Sequence, residues 1–223
     1  MIVKSFELNK VDYKKINFFL FYGENQGHKK EIIEEKFKKN FLGSTYAYEE
    51  SEVLNNQEGF FNNIISKSFF EKEKLIIINR TTDKIREVIE QMLEKKFEDV
   101  VIILNSNILE KKSKLRSIFE KNKDTFCIPF YKDNSQTLSI IISNYFRQNK
   151  IPISQQAINL IVQRSSGDRQ NLNNELEKIK YFIGNKKKVE LQDLLKLTNL
   201  AENYDVSELI DSCLSKNKKK TIH

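Results

Sequence analysis

Histidine, cysteine, proline, glycine and tryptophan are all scarce in this chain, and each scarcity closes off some chemistry or architecture. There are 2 His, 2 Cys, 2 Pro, 6 Gly and no Trp in 223 residues. His28 and His223 cannot supply a metal-binding pair or a Ser-His-Asp set, which disfavours enzymes built on histidine acid–base or nucleophilic chemistry. Cys127 and Cys213 stand far apart without clustered ligands, so neither a zinc site nor a redox pair fits their spacing. Cys127 lies in the apolar run FCIPFY, where a small buried thiol is expected. Few breakers favour long regular elements over a sandwich with many tight turns. No apolar run approaches the roughly 20 residues that cross a bilayer, and the N-terminus lacks a basic-then-apolar signal layout. The expectation is a soluble, cytoplasmic protein of a reducing compartment, with no membrane partner.

What is present is a substantial core. Hydrophobic residues make up 39% of the chain, with 16 Phe, enough for one large domain or two smaller ones. The net charge of +7 is uneven: residues 137–223 hold 14 Lys/Arg against 9 Asp/Glu, the first 136 hold 24 against 22. Lysine triplets at 186–188 and 218–220 supply most of the excess. Such runs are ordinarily solvated surface; a stand-alone basic module that binds nucleic acid through them is the alternative reading.

Short apolar runs at 18–22, 45–48, 75–78, 100–104 and 126–131 recur with helical stretches between them. Continuous hydrophobicity suits strands covered on both faces, as in a parallel sheet. Ile33, Phe37 and Phe41 form one helical stripe, Ile85, Ile89, Met92 and Leu93 another, and Leu115, Ile118 and Phe119 a third. The fold class expected is α/β, a doubly wound parallel sheet over residues 1–136. After about residue 135 only helical patterns remain. Ser154 caps a helix burying Ala157, Ile158, Ile161 and Val162. The next carries Leu172, Leu176, Ile179 and Ile183 and closes at Gly184; a third covers about 191–198. A fourth starts at Asp205, with Glu208 as its capping partner. Residues 137–203 therefore read as a small all-α domain. Residues 204–223 read as the start of a further helical domain that the chain does not complete.

Residues 18–38 read FFLFYGENQGHKKEIIEEKFK, a buried strand, a loop with two glycines, then an amphipathic helix. That is where a nucleotide-binding α/β domain holds phosphates. A working phosphate loop spells Gly, four residues, Gly-Lys-Ser/Thr, so that backbone N–H groups, a lysine and a hydroxyl converge. Here Gly23 and Gly27 are one residue too close, His28 stands in the lysine's place, and Lys29-Lys30 offers no hydroxyl. The strands at 75–79 and 100–105 both finish in asparagine, so the acids an ATPase uses to hold magnesium and water are missing too. The loop is expected to be degenerate, with no cofactor, no metal and no catalytic residues.

Two further stretches stand out. Ser66-Lys67-Ser68-Phe69-Phe70 precedes the strand at 75–78, and two adjacent aromatics cannot both enter one core from a short element. The pair is either packing at a helix end or a plug for a pocket on another protein. Gly167-Asp168-Arg169 is followed by Asn174-Glu175-Leu176-Glu177-Lys178, which on spacing alone reads as a helix N-cap with an exposed charged face.

With these residues in view, the chain resembles the delta subunit of bacterial DNA polymerase III, a clamp-loader component, over essentially its whole length. The resemblance rests on FFLFYGENQGHKKEIIEE, SFFEKEKLIIIN and, most specifically, GDRQNLNNELEKI. It implies a degenerate AAA+-type ATPase-like domain, a helical lid and a C-terminal collar, of which NYDVSELIDSCLSK would be the beginning. It also implies a non-catalytic role: binding the sliding clamp (the beta subunit) and helping to open it for loading on primed DNA. The implied partners are that clamp, the ATPase subunits, delta-prime, and primed DNA inside the assembled loader. The implied clamp-binding element is Phe69 and Phe70, preceded by Ser68, with Ile65 where such motifs begin with glutamine. The ATP-hydrolysing subunits of that assembly carry an intact phosphate loop, zinc-binding cysteines and a Ser-Arg-Cys tripeptide, none of which occurs here.

Overall fold

The apolar runs become five parallel strands in a computed structural model of the chain. It describes residues 1–10, 17–39, 41–66, 73–95, 97, 99–184, 189, 191–198 and 213–215. The strands are β1 (Phe18–Tyr22), β2 (Ser44–Glu49), β3 (Lys74–Thr81), β4 (Val100–Ser106) and β5 (Thr125–Pro129). Their order is β2-β3-β4-β1-β5 and every pairing is parallel. The chain leaves β1 for the far edge, returns strand by strand, and places β5 on the other side of β1. That reversal beside β1 is the switch point at which such sheets bind ligands. The expected doubly wound α/β class is what the chain adopts.

Alternation along the central strands divides two cores. Phe18, Leu20, Tyr22, Ile76, Ile78, Ile102, Leu104 and Cys127 face one side. There they meet Val53, Phe60, Phe61 and Ile64 from α2 (Glu50–Asn55) and α3 (Gln57–Ile65). Val88, Ile89 and Met92 of α4 (Arg86–Lys95) and Leu115 and Phe119 of α5 (Lys114–Lys121) complete that layer. Phe19, Phe21, Leu75, Ile77, Ile103, Phe126 and Ile128 face the other side. They pack on Ile32, Ile33 and Phe37, which belong to α1 (Gln26–Ile32) and to the π-helical turn Ile33–Lys38 that continues it. Burial on both faces is what the uninterrupted runs demand. β2 is the exception, an edge strand with alternate residues half-exposed. The opposite edge is shortened by a bridge: Val3 N donates to Cys127 O (3.1 Å) and Cys127 N to Met1 O (2.9 Å), which limits stray edge pairing.

The described residues fall into two compact units. One comprises residues 1–134 together with Gly167–Asn173; the other comprises Ser135–Ser166 and the described residues from Asn174 onward. The second holds α6 (Ser135–Gln148), α7 (Gln155–Ser165), most of α8 (Arg169–Ile183) and α9 (Leu191–Thr198). Ser154 caps α7 by accepting from Ala157 N at 3.2 Å. Leu172, Leu176, Ile179 and Ile183 are buried as their spacing requires, and Gly184 ends α8 at φ +49°. The fourth helix expected from Asp205 lies outside the described residues apart from Cys213–Ser215, as do both lysine triplets. Among the described residues no helix is long and apolar enough to cross a membrane.

Candidate functional site

The C-terminal end of β1 delivers the chain into a loop that is packed from both sides. Gly23 adopts φ +126°, and a Cβ there would lie 2.2 Å from Phe130 O, so only glycine fits. Its N–H donates to Asn107 O (3.0 Å), fixing the loop to the residues after β4. Asn25, fully buried, is the hub. Its Oδ1 accepts from His28 N (3.1 Å) and Arg169 N (3.3 Å). Its Nδ2 donates to Tyr131 O (3.2 Å) and Asp133 Oδ2 (2.8 Å). Both donor hydrogens and the oxygen of this amide are engaged, which is what burial of a polar side chain requires.

Lys29, and not His28, reaches into the loop as the lysine of a phosphate loop does. Counting from Gly23, it is the seventh residue, the place the motif reserves for lysine. Spacing taken from Gly27 had put His28 there. Lys29 is fully buried and its Nζ donates to Gly23 O (3.1 Å) and Ser106 O (2.6 Å). Burial lowers its pKa from 10.5 to about 8. His28 packs edge-on against Phe130 at 5.1 Å. Its pKa falls to about 4, first because burial penalises the cation and second because Arg169 is close, with Asp133 opposing. His28 is therefore neutral at physiological pH and supplies no charge for a phosphate.

Arg169 is the residue that spacing misjudged. Asp168 is an N-cap as expected, accepting from Gln170 N (2.7 Å) and Asn171 N (3.0 Å). Arg169, however, is not part of an exposed face; its side chain is 13% exposed and held on two sides. Nε and Nη2 donate to Asp133 (2.8 and 3.3 Å), and Nη1 donates to both oxygens of Glu31 (3.0 and 2.9 Å). Burial opposes its charge, but the two carboxylates outweigh it and raise its pKa. These partners lie 36 and 138 residues away along the chain, beyond any local pattern.

Beside this network the strand ends are neutral. Asn105 Nδ2 donates to Asn79 Oδ1 (3.1 Å), and the Thr81 and Ser106 hydroxyls share a 2.5 Å bond. Asn105 Oδ1 is buried with no hydrogen-bond partner. Arg80 sits between them at φ +55°, a strained conformation for a residue with a side chain, at an irregularity between Asn79 and Thr81. Amides and hydroxyls at these positions hold backbone in place and offer no base for water activation. Among the described residues no cluster of His, Cys, Asp or Glu is arranged to hold a metal.

Ser68, Phe69 and Phe70 lie outside the described residues. The described residues on either side of them in sequence lie at the opposite, N-terminal end of the strands. Lys74, the first residue of β3, donates through Nζ to Asn63 O (2.6 Å) and Ser66 O (2.6 Å), tying the end of α3 to the start of β3. Ile65, the last residue of α3, is 53% exposed, and Leu42, just before β2, is 99% exposed.

A family model described as "DNA polymerase III, delta subunit" matches residues 19–129. No curated relative matches the sequence. Among solved structures, the Bacillus subtilis DNA clamp loader delta protein (YqeN) is similar over 98% of this chain and 67% of its own, at 15% identity and TM-score 0.50. Domain III of the Thermotoga maritima replication initiation protein DnaA matches over 87% of this chain and 88% of its own, at 11% identity and TM-score 0.50. The Thermotoga maritima RuvB Holliday junction branch migration motor gives 11% identity and TM-score 0.58, over 89% of this chain and 68% of its own. At these identities the structural likeness is one of fold, and it is the fold of AAA+ ATPases.

Proposed function

We propose, on the premise that the chain belongs through residues 19–129 to the delta-subunit family of DNA polymerase III, that it is a non-catalytic clamp-loader subunit. It binds the sliding clamp and helps hold it open for loading on primed DNA, alongside the ATPase subunits and delta-prime. The family match over the α/β unit carries this reading. The geometry supports it from two directions. At the phosphate-loop end Lys29 is committed to carbonyls and His28 is neutral, so neither offers a charge to a phosphate, in keeping with a subunit that does not hydrolyse ATP. Gly23, Gly27 and His28 thus form a degenerate loop, and nucleotide acts through the partner subunits. At the other end, Ser68, Phe69 and Phe70 follow in sequence the exposed Ile65 that closes α3.

Phe69 and Phe70 enter a pocket on the clamp, where a few desolvated aromatic anchors dominate the binding energy. Residues 1–136 form the clamp-binding domain and residues 137–203 the lid. Opening of the ring follows from differential affinity: a ligand shifts an equilibrium only by the difference in its binding to the two states.

The test is binding of this protein to the sliding clamp of the same source, as wild type and as the Phe69→Ala/Phe70→Ala double variant. Each fully buried aromatic contributes on the order of 3–5 kcal/mol, so the double variant should lose measurable binding while its circular dichroism is unchanged. Failure of the wild type to bind, together with strong salt-dependent DNA binding by the isolated protein, would refute this function in favour of a basic nucleic-acid-binding module.

A further inference from the structure

We infer that the phosphate position is already occupied by the chain itself. The backbone of Arg169 and Gln170, held by the Arg169 clamp, is the resident occupant of loop 23–29 and closes it to nucleoside triphosphates. The inference rests on the reading of the chain as a non-hydrolysing subunit, and it names what fills the site.

Two observations carry it. The first is steric. A Cβ on Gly27 would lie 2.0 Å from Gln170 N, 2.6 Å from Arg169 C and 2.8 Å from Gln170 Cα. Where not even a methyl group fits between the loop and the start of α8, no phosphate fits. The glycine serves close approach of the chain's own backbone, the use that a phosphate loop makes of it for a ligand.

The second is that most of the loop's donors are taken. A phosphate loop binds anions because its N–H groups have no partner until the ligand arrives. Here Gly23 N donates to Asn107 O, Asn25 N to Phe130 O (3.2 Å), Gln26 N to Glu24 O (2.9 Å) and Lys29 N to Asn25 O (3.1 Å). His28 N donates to the Asn25 side chain, and both bonds of Lys29 Nζ go to carbonyls. The Asn25 oxygen that receives His28 N also receives Arg169 N, so one amide binds loop and occupant together. Arg169 then fixes the occupant to Asp133 after β5 and to Glu31 on α1 by paired bonds, the strong geometry for guanidinium and carboxylate. Nucleotide binding would have to displace backbone, break this two-sided ion pair and free the loop donors at once.

The experiment is amide hydrogen exchange on the full chain, with and without millimolar MgATP, MgADP or inorganic phosphate, as wild type and as Arg169→Ala. In the wild type, exchange at residues 26–29 and 169–171 is slow and none of the three probes changes it. In Arg169→Ala, exchange at 26–29 accelerates about tenfold or more, while β3 and β4 keep their protection. Arg169→Lys keeps the charge but loses the two-sided fork, and gives a smaller acceleration at the same residues; it is also the readout if the alanine variant fails to fold. Saturable protection of wild-type residues 26–29 by MgATP would overturn the inference, and so would unchanged exchange there in both variants. Nucleotide binding with clamp binding retained would discard the occupant and leave the clamp-loader reading. Lost clamp binding with an indifferent loop would do the reverse.

Discussion

Lys29 is a lysine ammonium buried against two carbonyl oxygens, and this makes a quantitative forecast possible. Burial lowers its pKa from 10.5 to about 8. In the unfolded chain it titrates near 10.5, so between pH 8 and 10.5 the unfolded state binds a proton that the folded state does not. Stability rises with pH wherever the unfolded state binds more protons. Folding therefore carries the cost of the buried cation below about pH 8 and sheds it progressively as pH rises toward 10.5. From pH 7 to 9.5 the linkage integral amounts to about 2 kcal/mol.

Lys29→Met keeps the length of the stem and removes the charge. At pH 7 it relieves roughly 3 kcal/mol of disfavoured charge burial, but it forfeits two charge-assisted bonds worth about 1.5–3 kcal/mol each. These terms nearly offset, so the stability of the variant at one pH decides little. The difference between wild-type and variant curves decides it, because the other titrating groups cancel. Urea denaturation at intervals from pH 7 to 9.5 should show wild type gaining about 2 kcal/mol relative to Lys29→Met. Parallel curves would refute the desolvated position of Nζ, and with it the placement of Lys29 as the lysine of the loop.

Gly27→Ala drives a Cβ to within 2.0 Å of Gln170 N, and backbone is the neighbour least able to give way. The variant should lose about 1–3 kcal/mol in thermal denaturation, and a neutral outcome would mean that the start of α8 moves aside freely. Asp83 accepts from Ser113 Oγ (2.6 Å), Leu115 N (2.9 Å) and Lys114 N (3.2 Å), and anchors the start of α5. Its pKa is lowered: burial pushes it up, but these bonds outweigh burial. Asp83→Ala should cost about 1–2 kcal/mol at neutral pH. The gap between it and wild type should close as pH falls through that lowered pKa, and a gap independent of pH would count against the carboxylate contacts. Burial pushes the Cys127 thiol up to about 12, whereas Cys213 is exposed. A thiol reagent at pH 8 should therefore label Cys213 quickly and Cys127 only after unfolding; two equally fast thiols would contradict the packing of β5.

The strands β1, β3, β4 and β5 were legible because burial on both faces leaves an unbroken apolar run, which few other settings tolerate. α7 and most of α8 were legible through caps and period: Ser154, Asp168 and Gly184 behave as their residue types require. The candidate site was legible only in outline. Two glycines at 23 and 27 mark a loop after a strand, but they do not say which is counted from, and that choice decides whether His28 or Lys29 takes the lysine's place. Asn25 reads locally as a turn residue, and its four partners across 131, 133, 28 and 169 appear only once β1, β5 and α8 converge. Arg169 carries no mark in sequence that separates a clamped guanidinium from a solvated one, because both its acids arrive by folding.

The same convergence bears on why a lysine is buried in this loop, beside strand ends that carry amides and hydroxyls. A buried ammonium with no carboxylate beside it is costly, so Lys29 persists only if its removal costs as much. It does, because the carbonyls of Gly23 and Ser106 at the ends of β1 and β4 take their donors from Nζ. Those two strands flank the switch point and must be joined for the sheet to end in register. In a nucleotide-binding relative, a phosphate would hold the lysine and the loop together and release them on hydrolysis. Here Lys29, Asn25 and Arg169 hold the same elements permanently. A site fixed in this way has no ligand-dependent state of its own, and a ligand that does not discriminate between two states shifts nothing. On the clamp-loader reading, any nucleotide-driven movement of this subunit must therefore be imposed by its neighbours. On that same reading, its own binding energy would be exerted through Phe69 and Phe70, which lie in sequence between the end of α3 and the start of β3 that Lys74 ties together.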